Sequence, residues 1–281
     1  MHIGVDLGGT TTRIGAFQSL DSPDFTLIAK FPTHQSYEHQ LHSIITTVQN
    51  SNLEHLTGIG VSIGGRIARD GCSVSVAPNL PEYVGKPFAQ NLSRAFNCPV
   101  RLAHDPVCGL LAEKKFGYVR HFDRCAYLTI STGTGAAIQL CKDATTLTLS
   151  IEIGHQLLDG NLLPCLCGQT GCLETFTGGK QLTLRYRQPI EQIADQAFWE
   201  TFSDKLALGL VNLTQLTRVE AVAISGGIAL NQPFLLAKLQ QKVNSLIRGA
   251  TLELSLAVLG ENAPLIGAAI LLDVAENTIL H

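Results

Sequence analysis

His155, Cys165, Cys167 and Cys172 form H-x9-C-x-C-x4-C, three thiols within eight residues downstream of one imidazole. One borderline nitrogen and three soft sulfurs, with no position left open, are the donor set of a tetrahedral structural zinc site. Gly168 and Gly171 supply the sharp turns that three converging thiolates need. The competing reading, three buried thiols and a surface histidine, fits poorly with such crowding in one short loop. Cys72, Cys98, Cys108, Cys125 and Cys141 are scattered through apolar segments and read as small packing hydrophobes. A closed zinc site performs no chemistry. Its value is stiffness, which would hold Glu152, His155 and Glu174 in place.

Three glycine turns carry a second kind of chemistry. In "DLGGTTTR" (Asp6 to Arg13), Gly8, Gly9, Thr10 and Thr11 let consecutive backbone N–H groups approach a phosphate, and Asp6 can hold a hydrated cation. Taken alone, this turn reads more readily as an ordinary hairpin whose threonines suit a strand. "STGTG" places Thr132, Gly133, Thr134 and Gly135 in the corresponding turn of the second half, and two such turns suit a nucleotide whose phosphate tail is held by both. "SGG", with Gly226 and Gly227, sits where a strand enters a helix and offers a place for an adenosine end; its other reading is a helix start with permissive glycines. No GxxxxGK[ST] and no GxGxxG is present, which excludes a P-loop and a dinucleotide fingerprint.

These residues need elements to position them. The pattern predicts a strand from His2 to Asp6, a return from Thr12 to Phe17, a third strand "FTLIAKF", and a helix carrying Tyr37, Leu41, Ile44, Ile45 and Val48. A buried strand over 58–65, a helix over 86–96, a strand over 100–103 and a helix opened by Pro106 follow. The second half repeats the opening with "CAYLTIS", a glycine turn and "AAIQL", then adds the cysteine-rich insert. It continues through helices, the strand "AVAIS", a helix through Leu239, the strand "LELSLAV" and a terminal helix from Ala263. A repeated βββαβαβα unit predicts an α/β fold of two lobes around a central cleft, the place for ligands. Residues 1–108 with the C-terminal helix 264–281 would form the smaller lobe, and 109–263 the larger one with the zinc loop.

Composition narrows the function classes. With 281 residues, 45% hydrophobic and 15% charged, the chain can bury a substantial core. A net charge of -3, from 20 basic and 23 acidic side chains, provides no cationic surface for nucleic acid or an anionic membrane. The start "MHIGVDLGGT" lacks the pattern of a signal peptide, no apolar run reaches the roughly 20 residues of a membrane span, and the expected location is cytoplasmic.

Taken in order, "DLGGTTTR", "HDPVCGLLAE", "STGTG", "IEIGHQLLDG…CLCGQTGCLE" and "SGGIA" resemble the ROK family of sugar kinases and sugar-responsive repressors across nearly the whole chain. The resemblance implies an actin-like ATPase (ribonuclease H-like) fold, ATP with Mg2+, a structural Zn2+, a homodimer, and phosphoryl transfer to a sugar hydroxyl. It implies that Asp105 is the general base for the 6-hydroxyl. A helix N-cap ahead of Pro106 is the plainer role of Asp105, and the two are compatible. Gly65, Arg66, Asn79, His104, Glu152, His155 and Glu174 match sugar-pocket positions; Arg66 reads equally as a solvated loop arginine. Asp6, Gly8, Gly9, Thr10, Thr11 and Arg13, with Thr132, Gly133, Thr134, Gly135, Gly226 and Gly227, match the nucleotide side. His104 departs from the usual asparagine before the catalytic aspartate, Ile151 replaces a usual glycine, and "GTGAA" replaces GTGIGGG.

The expected activity is an ATP-dependent hexose kinase, glucose-like by default. "GGRIARDG" resembles a stretch of N-acetylmannosamine kinases and "GKPFAQNLSRAF" one of N-acetylglucosamine kinases, which keeps an N-acetylhexosamine as the alternative substrate. A catalytically silent sugar-sensing protein is the alternative from another class. A family repressor is disfavoured, because the first ATPase strand starts at residue 2, where repressors carry a winged helix.

Overall fold

In the computed structural model the first apolar run forms β1 (His2–Leu7), which returns as β2 (Thr11–Phe17) and again as β3 (Thr26–Pro32) before α1 (Tyr37–Asn50). Residues 52, 144, 276, 277 and 281 aside, the whole chain is described. Next come β4 (Gly58–Ile63), a small hairpin of β5 (Arg66–Ile67) and β6 (Val74–Val76), α2 (Phe88–Phe96), β7 (Val100–His104) and α3 (Asp105–Phe116). The sheet runs β3-β2-β1-β4-β7, with β1 antiparallel to β2 and parallel to β4, and β4 parallel to β7. All six residues of β4 are buried, as expected for a central parallel strand covered on both faces. Ser36 caps α1 by accepting the His39 N–H, and Tyr37, Ile44 and Val48 turn the helix's apolar stripe inward. The register sets Asp6 beside Ser62 and Ser62 beside Ala103, so His104 and Asp105 follow at the carboxyl end of β7.

The second unit, Gly117–Glu261, repeats that plan. β8 (Arg124–Ile130), β9 (Thr134–Lys142) and β10 (Thr145–Ile151) form an antiparallel meander. The insert carries the short α4 (Glu174–Thr177) and α5 (Gly179–Tyr186); α6 (Gln196–Thr217), β11 (Ala221–Ser225), α7 (Gly227–Asn231), α8 (Phe234–Leu246) and β12 (Glu253–Leu256) complete it. Its strands run β10-β9-β8-β11-β12, the connectivity of the first sheet. α6 opens on Asp195, which accepts the Ala197 N–H, and buries Phe202, Leu206 and Leu210 against Leu128 and Ile224. It is the longest helix described, and no helix among the described residues is long and apolar enough to cross a membrane.

The chain then rejoins the first unit, which comprises Met1–Phe116 with Asn262–His281, through α9 (Ala263–Ile270) and the short β13 (Ile279–Leu280). α9 is apolar nearly throughout and packs on α3, β1 and β4. Backbones meet there: a Cβ on Gly60 would fall 1.7 Å from the Ala268 carbonyl oxygen, and one on Gly267 would fall 1.7 Å from that of Cys108. Only glycine fits at either position, and this close stacking fixes the start of α3, where Asp105 sits.

Several elements differ from the sequence reading. The terminal helix stops at Ile270 and tightens into a 3-10 turn over Leu271–Asp273, because the Arg101 guanidinium donates to the carbonyls of Leu271 and Val274 and ends the ladder. α2 starts at Phe88 because Pro87 precedes it, β4 stops at Ile63, and Asp105 rather than Pro106 opens α3. Position 108, the expected lobe boundary, lies inside α3, which stays whole with the first unit. The hairpin of β5 and β6 is too short to show a period, and β10 is the third strand that the internal repeat called for without locating.

Candidate active site

At the carboxyl end of the first sheet, Asp6 and Asp105 lie at the ends of parallel strands separated by β4. Ligands of open α/β sheets bind at such carboxyl ends. Asp6 Oδ2 accepts from Arg13 Nη2 at 2.8 Å and Nε at 3.2 Å, while Ser62 Oγ donates to Oδ1 at 3.3 Å. Arg13 Nη1 also donates to Asn262 Oδ1 at 3.0 Å. Burial pushes the Asp6 carboxyl above the ordinary aspartate range; Arg13 pulls it down without cancelling that, and the negative charge of Asp105 adds to the rise.

Asp105 keeps 38% of its side chain exposed, and its Oδ1 lies 3.0 Å from His104 Nε2. An ionised carboxylate only accepts, so the imidazole is the donor there. The nearby turn is braced from below: Gly8 N–H donates to the Thr11 carbonyl, Thr33 Oγ1 donates to the Gly8 carbonyl, and Gln40 Nε2 donates to Thr12 Oγ1. Asn79 packs directly on Gly9, where an added Cβ would meet its Cβ at 3.1 Å. Gly65 has φ +152°, and Arg66 lies exposed on β5. The first unit thus brings together Asp6, Arg13, the Gly8–Thr11 turn, Asn79, His104 and Asp105.

In the second unit the four metal-type ligands converge, their donor atoms all within 4.8 Å of one another. Cys167 and Cys172 sulfurs are 3.7 Å apart, and Cys165 Sγ is 3.9 Å from His155 Nδ1. A tetrahedron with Zn–S bonds of about 2.3 Å has an S···S edge of about 3.8 Å, so the set fits zinc with little movement. Backbone bonds shape the loop: Cys165 N–H to the Gln169 carbonyl, Leu158 N–H to that of Gly171, and Leu173 N–H to that of Gln156. Gly168 and Gly171 both sit at φ +94°. Burial pushes the Cys172 thiol up, reinforced by Cys167 and Cys165. At Cys167 burial also acts upward, but the Gln169 N–H and the two other thiols outweigh it and draw that thiol below its ordinary value.

Glu174 leaves this loop to brace the second glycine turn. Its Oε2 accepts the Thr134 N–H at 2.8 Å, and its Oε1 accepts from Gln181 Nε2 at 3.3 Å. The carboxylate occupies the space that a side chain on Gly133 would need, an added Cβ lying 2.8 Å from Oε2. Gly179 and Lys180 N–H groups at the start of α5 hold the Ser131 and Thr132 carbonyls at 2.9 Å. Thr134 and Gly135 already belong to β9, so the turn itself is Ser131–Gly133. Glu152 is exposed, and its carbonyl accepts the His155 N–H at 2.9 Å. Gly226 has φ +92° and Gly227 opens α7. A cavity of about 490 Å³ beyond α7, walled by Trp199, Gln232, Phe234 and Lys238, includes none of the predicted residues.

Two participants were invisible to spacing arguments. Ser62 reaches Asp6 only through strand pairing, and Gln181 reaches Glu174 and Cys165 only through the path of α5. Neither belongs to a motif that a linear reading could flag.

The sequence profile of the ROK family matches residues 2–274. Relatives include a glucokinase of Thermotoga maritima, 26% identical with 95% of each chain covered, and an N-acetylgalactosamine kinase of Shewanella sp., 26% identical with 96% of each covered. A xylose repressor of Bacillus subtilis is 27% identical over 83% of this chain and 65% of its own length. Among solved structures, a ROK family glucokinase from Streptomyces griseus in complex with glucose and AMPPNP superposes with a TM-score of 0.80 at 21% identity, covering 96% of this chain and 98% of that one.

Proposed function

Since the chain belongs to the ROK family and has its actin-like ATPase fold, we propose that it is an ATP-dependent sugar kinase that phosphorylates the 6-hydroxyl of a hexose. The observation that carries this reading is Asp105: a half-exposed carboxylate at a sheet's carboxyl edge, one oxygen held by His104, beside Asp6 and the Gly8–Thr11 turn. Under this reading the Asp105 carboxylate accepts the proton of the attacking hydroxyl. Phosphoryl transfer asks little else of a protein beyond positioning and charge.

The nucleotide phosphates would rest on the Gly8–Thr11 and Thr132–Gly135 backbone, with Gly226 and Gly227 on the nucleoside side. Asp6 would hold Mg2+ through water, and the ion's charge would oppose the burial that pushes this carboxyl up. The ion, when bound, neutralises charge developing on the transferred phosphoryl group. Gly65, Arg66, Asn79, His104, Glu152, His155 and Glu174 would bind the sugar, and His155, Cys165, Cys167 and Cys172 would hold zinc as a closed structural site. A glucose-like hexose is the default substrate, supported by the glucokinase relative; an N-acetylhexosamine is the alternative, supported by the N-acetylgalactosamine kinase. A sugar-binding regulatory role is the second reading, favoured by the match to xylose repressors.

An ADP-release assay of the purified protein against hexoses and N-acetylhexosamines decides among them. One sugar should give turnover that Asp105→Asn lowers by on the order of 10²–10⁴-fold while binding persists. Sugar binding with no turnover for any of them would favour the regulatory reading instead.

A further inference from the structure

Gln181 is buried, 7% exposed, at the third residue of α5. Its Nε2 lies 3.1 Å from Cys165 Sγ and 3.3 Å from Glu174 Oε1. A primary amide has two N–H donors, and here both meet groups that accept most strongly as anions: a thiolate, as Cys165 is when it ligates a metal, and a carboxylate. The second oxygen of Glu174 holds the Thr134 N–H at 2.8 Å. One hydrogen-bonded path thus runs from a zinc-type ligand to the backbone of the second glycine turn.

We propose that Gln181 is a positioning residue that makes the pose of Glu174, and with it the 131–134 turn, depend on zinc at the cysteine cluster. The chemistry is local. A metal-bound Cys165 thiolate takes one N–H of the amide and fixes the rotamer, leaving the other N–H aimed at Glu174. Without the metal, no bond fixes the Cys165 side chain, so the amide loses one anchor and Glu174 loses a firmly oriented donor. α5 already holds the same turn through the Gly179 and Lys180 N–H groups, so only the carboxylate side of the turn should respond to the metal. What this does to a sugar rests on the kinase reading; the coupling of metal to turn does not.

The test uses the full chain loaded with one equivalent of Zn2+, and compares wild type with Gln181→Met, which keeps the volume and removes both donors. In wild type, stripping the zinc should speed hydrogen exchange of the Thr134 amide at least tenfold. In Gln181→Met that amide should exchange quickly with or without zinc, and zinc should pass to a chromogenic chelator roughly 10–100-fold faster, the range for lost outer-sphere partners of metal ligands. If the sugar assay is active, the KM for sugar should rise about tenfold with kcat nearly unchanged. Gln181→Glu keeps the length but sets a carboxylate against Glu174 and the thiolate; it should release zinc faster still, and it serves should the methionine variant fold poorly. Thr134 exchange that ignores zinc in wild type, or zinc release at the wild-type rate in both variants, would overturn the proposal. An enzyme that phosphorylates no sugar yet shows the exchange coupling would sink the kinase reading alone.

Discussion

The two glycine turns lead matching sheets, yet their carboxylates live in opposite circumstances. Asp6 rises from its own strand, is paired with Arg13, and still has a carboxyl pushed above the ordinary range by burial and by Asp105. Glu174 is imported from the metal-type loop, and both of its oxygens accept N–H donors, one from the Thr134 backbone and one from Gln181. The first carboxylate is charged at a cost that an arriving cation would relieve. The second has each oxygen held by one N–H, so it braces the backbone before a sugar arrives and keeps further lone pairs for a hydroxyl. Duplicated topology therefore fixes where a turn sits, while the surrounding side chains decide whether its carboxylate awaits a ligand or holds the frame.

The largest effect should come from the ligand-awaiting side. Asp105→Asn should lower kcat by on the order of 10²–10⁴-fold, the usual worth of a positioned general base, with sugar affinity kept. It should also bring the Asp6 carboxyl down toward its ordinary value, because one cause of its rise is gone; carbon-13 shifts of the Asp6 carboxyl followed against pH would register this. Turnover within threefold of wild type would remove Asp105 from the chemistry.

Zinc removal tests the framing side. Losing a closed four-ligand site should lower the melting temperature by roughly 10 °C, taking about 2–4 °C per kcal/mol for a domain of this size. Calorimetry with and without chelator measures it. Hydrogen exchange should rise around 152–174 and leave 6–13 as it was; equal loosening at both turns would erase the difference between them.

The neutral amides separate the two carboxylates directly. Glu174→Gln must present an NH2 to the Thr134 N–H or to the Gln181 amide, and either leaves a donor facing a donor. The cost should be about 1–3 kcal/mol, seen as a melting temperature lower by roughly 5 °C. Asp6→Asn keeps an oxygen for Arg13 and removes a charge the fold disfavours, so the melting temperature in Mg2+-free buffer should stay within about 3 °C of wild type. The KM for Mg-ATP should nonetheless rise about tenfold. The sign of the pH dependence follows: a raised folded-state carboxyl contributes stability below the unfolded-state value, and this is lost as pH rises through the folded-state value, so wild type should show a slope just above the ordinary aspartate range that Asp6→Asn lacks.

What the sequence could disclose depended on range. His155 and the three cysteines span eighteen residues, and their types alone name a donor set, so the cluster was legible before any fold was known. The glycine turns were legible for the same reason, whereas the internal repeat implied a third strand without locating β10. Contacts made by pairing were not. Asp6 meets Ser62 across 56 residues through parallel register, and Gln181 meets Cys165 because α5 folds back on the loop. The two- and three-residue strands at Arg66 and Val74 are too short for any periodicity to reveal.

The smallest effect, and the sharpest on the first region, concerns His104. Its sequence departs from the family's usual asparagine, and in the fold its Nε2 donates to Asp105 Oδ1 at 3.0 Å. An asparagine at 104 has a shorter arm and cannot span the same gap from the same backbone, so Asp105 should lose an orienting contact without losing its charge. His104→Asn should therefore lower kcat by about tenfold, in line with the net worth of one charge-assisted hydrogen bond, roughly 1.5 kcal/mol. If His104 also contacts sugar, the ratio of kcat/KM between glucose and an N-acetylhexosamine should shift at the same time. A fall in kcat with that ratio unchanged assigns His104 to orienting Asp105, and a changed ratio at constant kcat assigns it to the sugar.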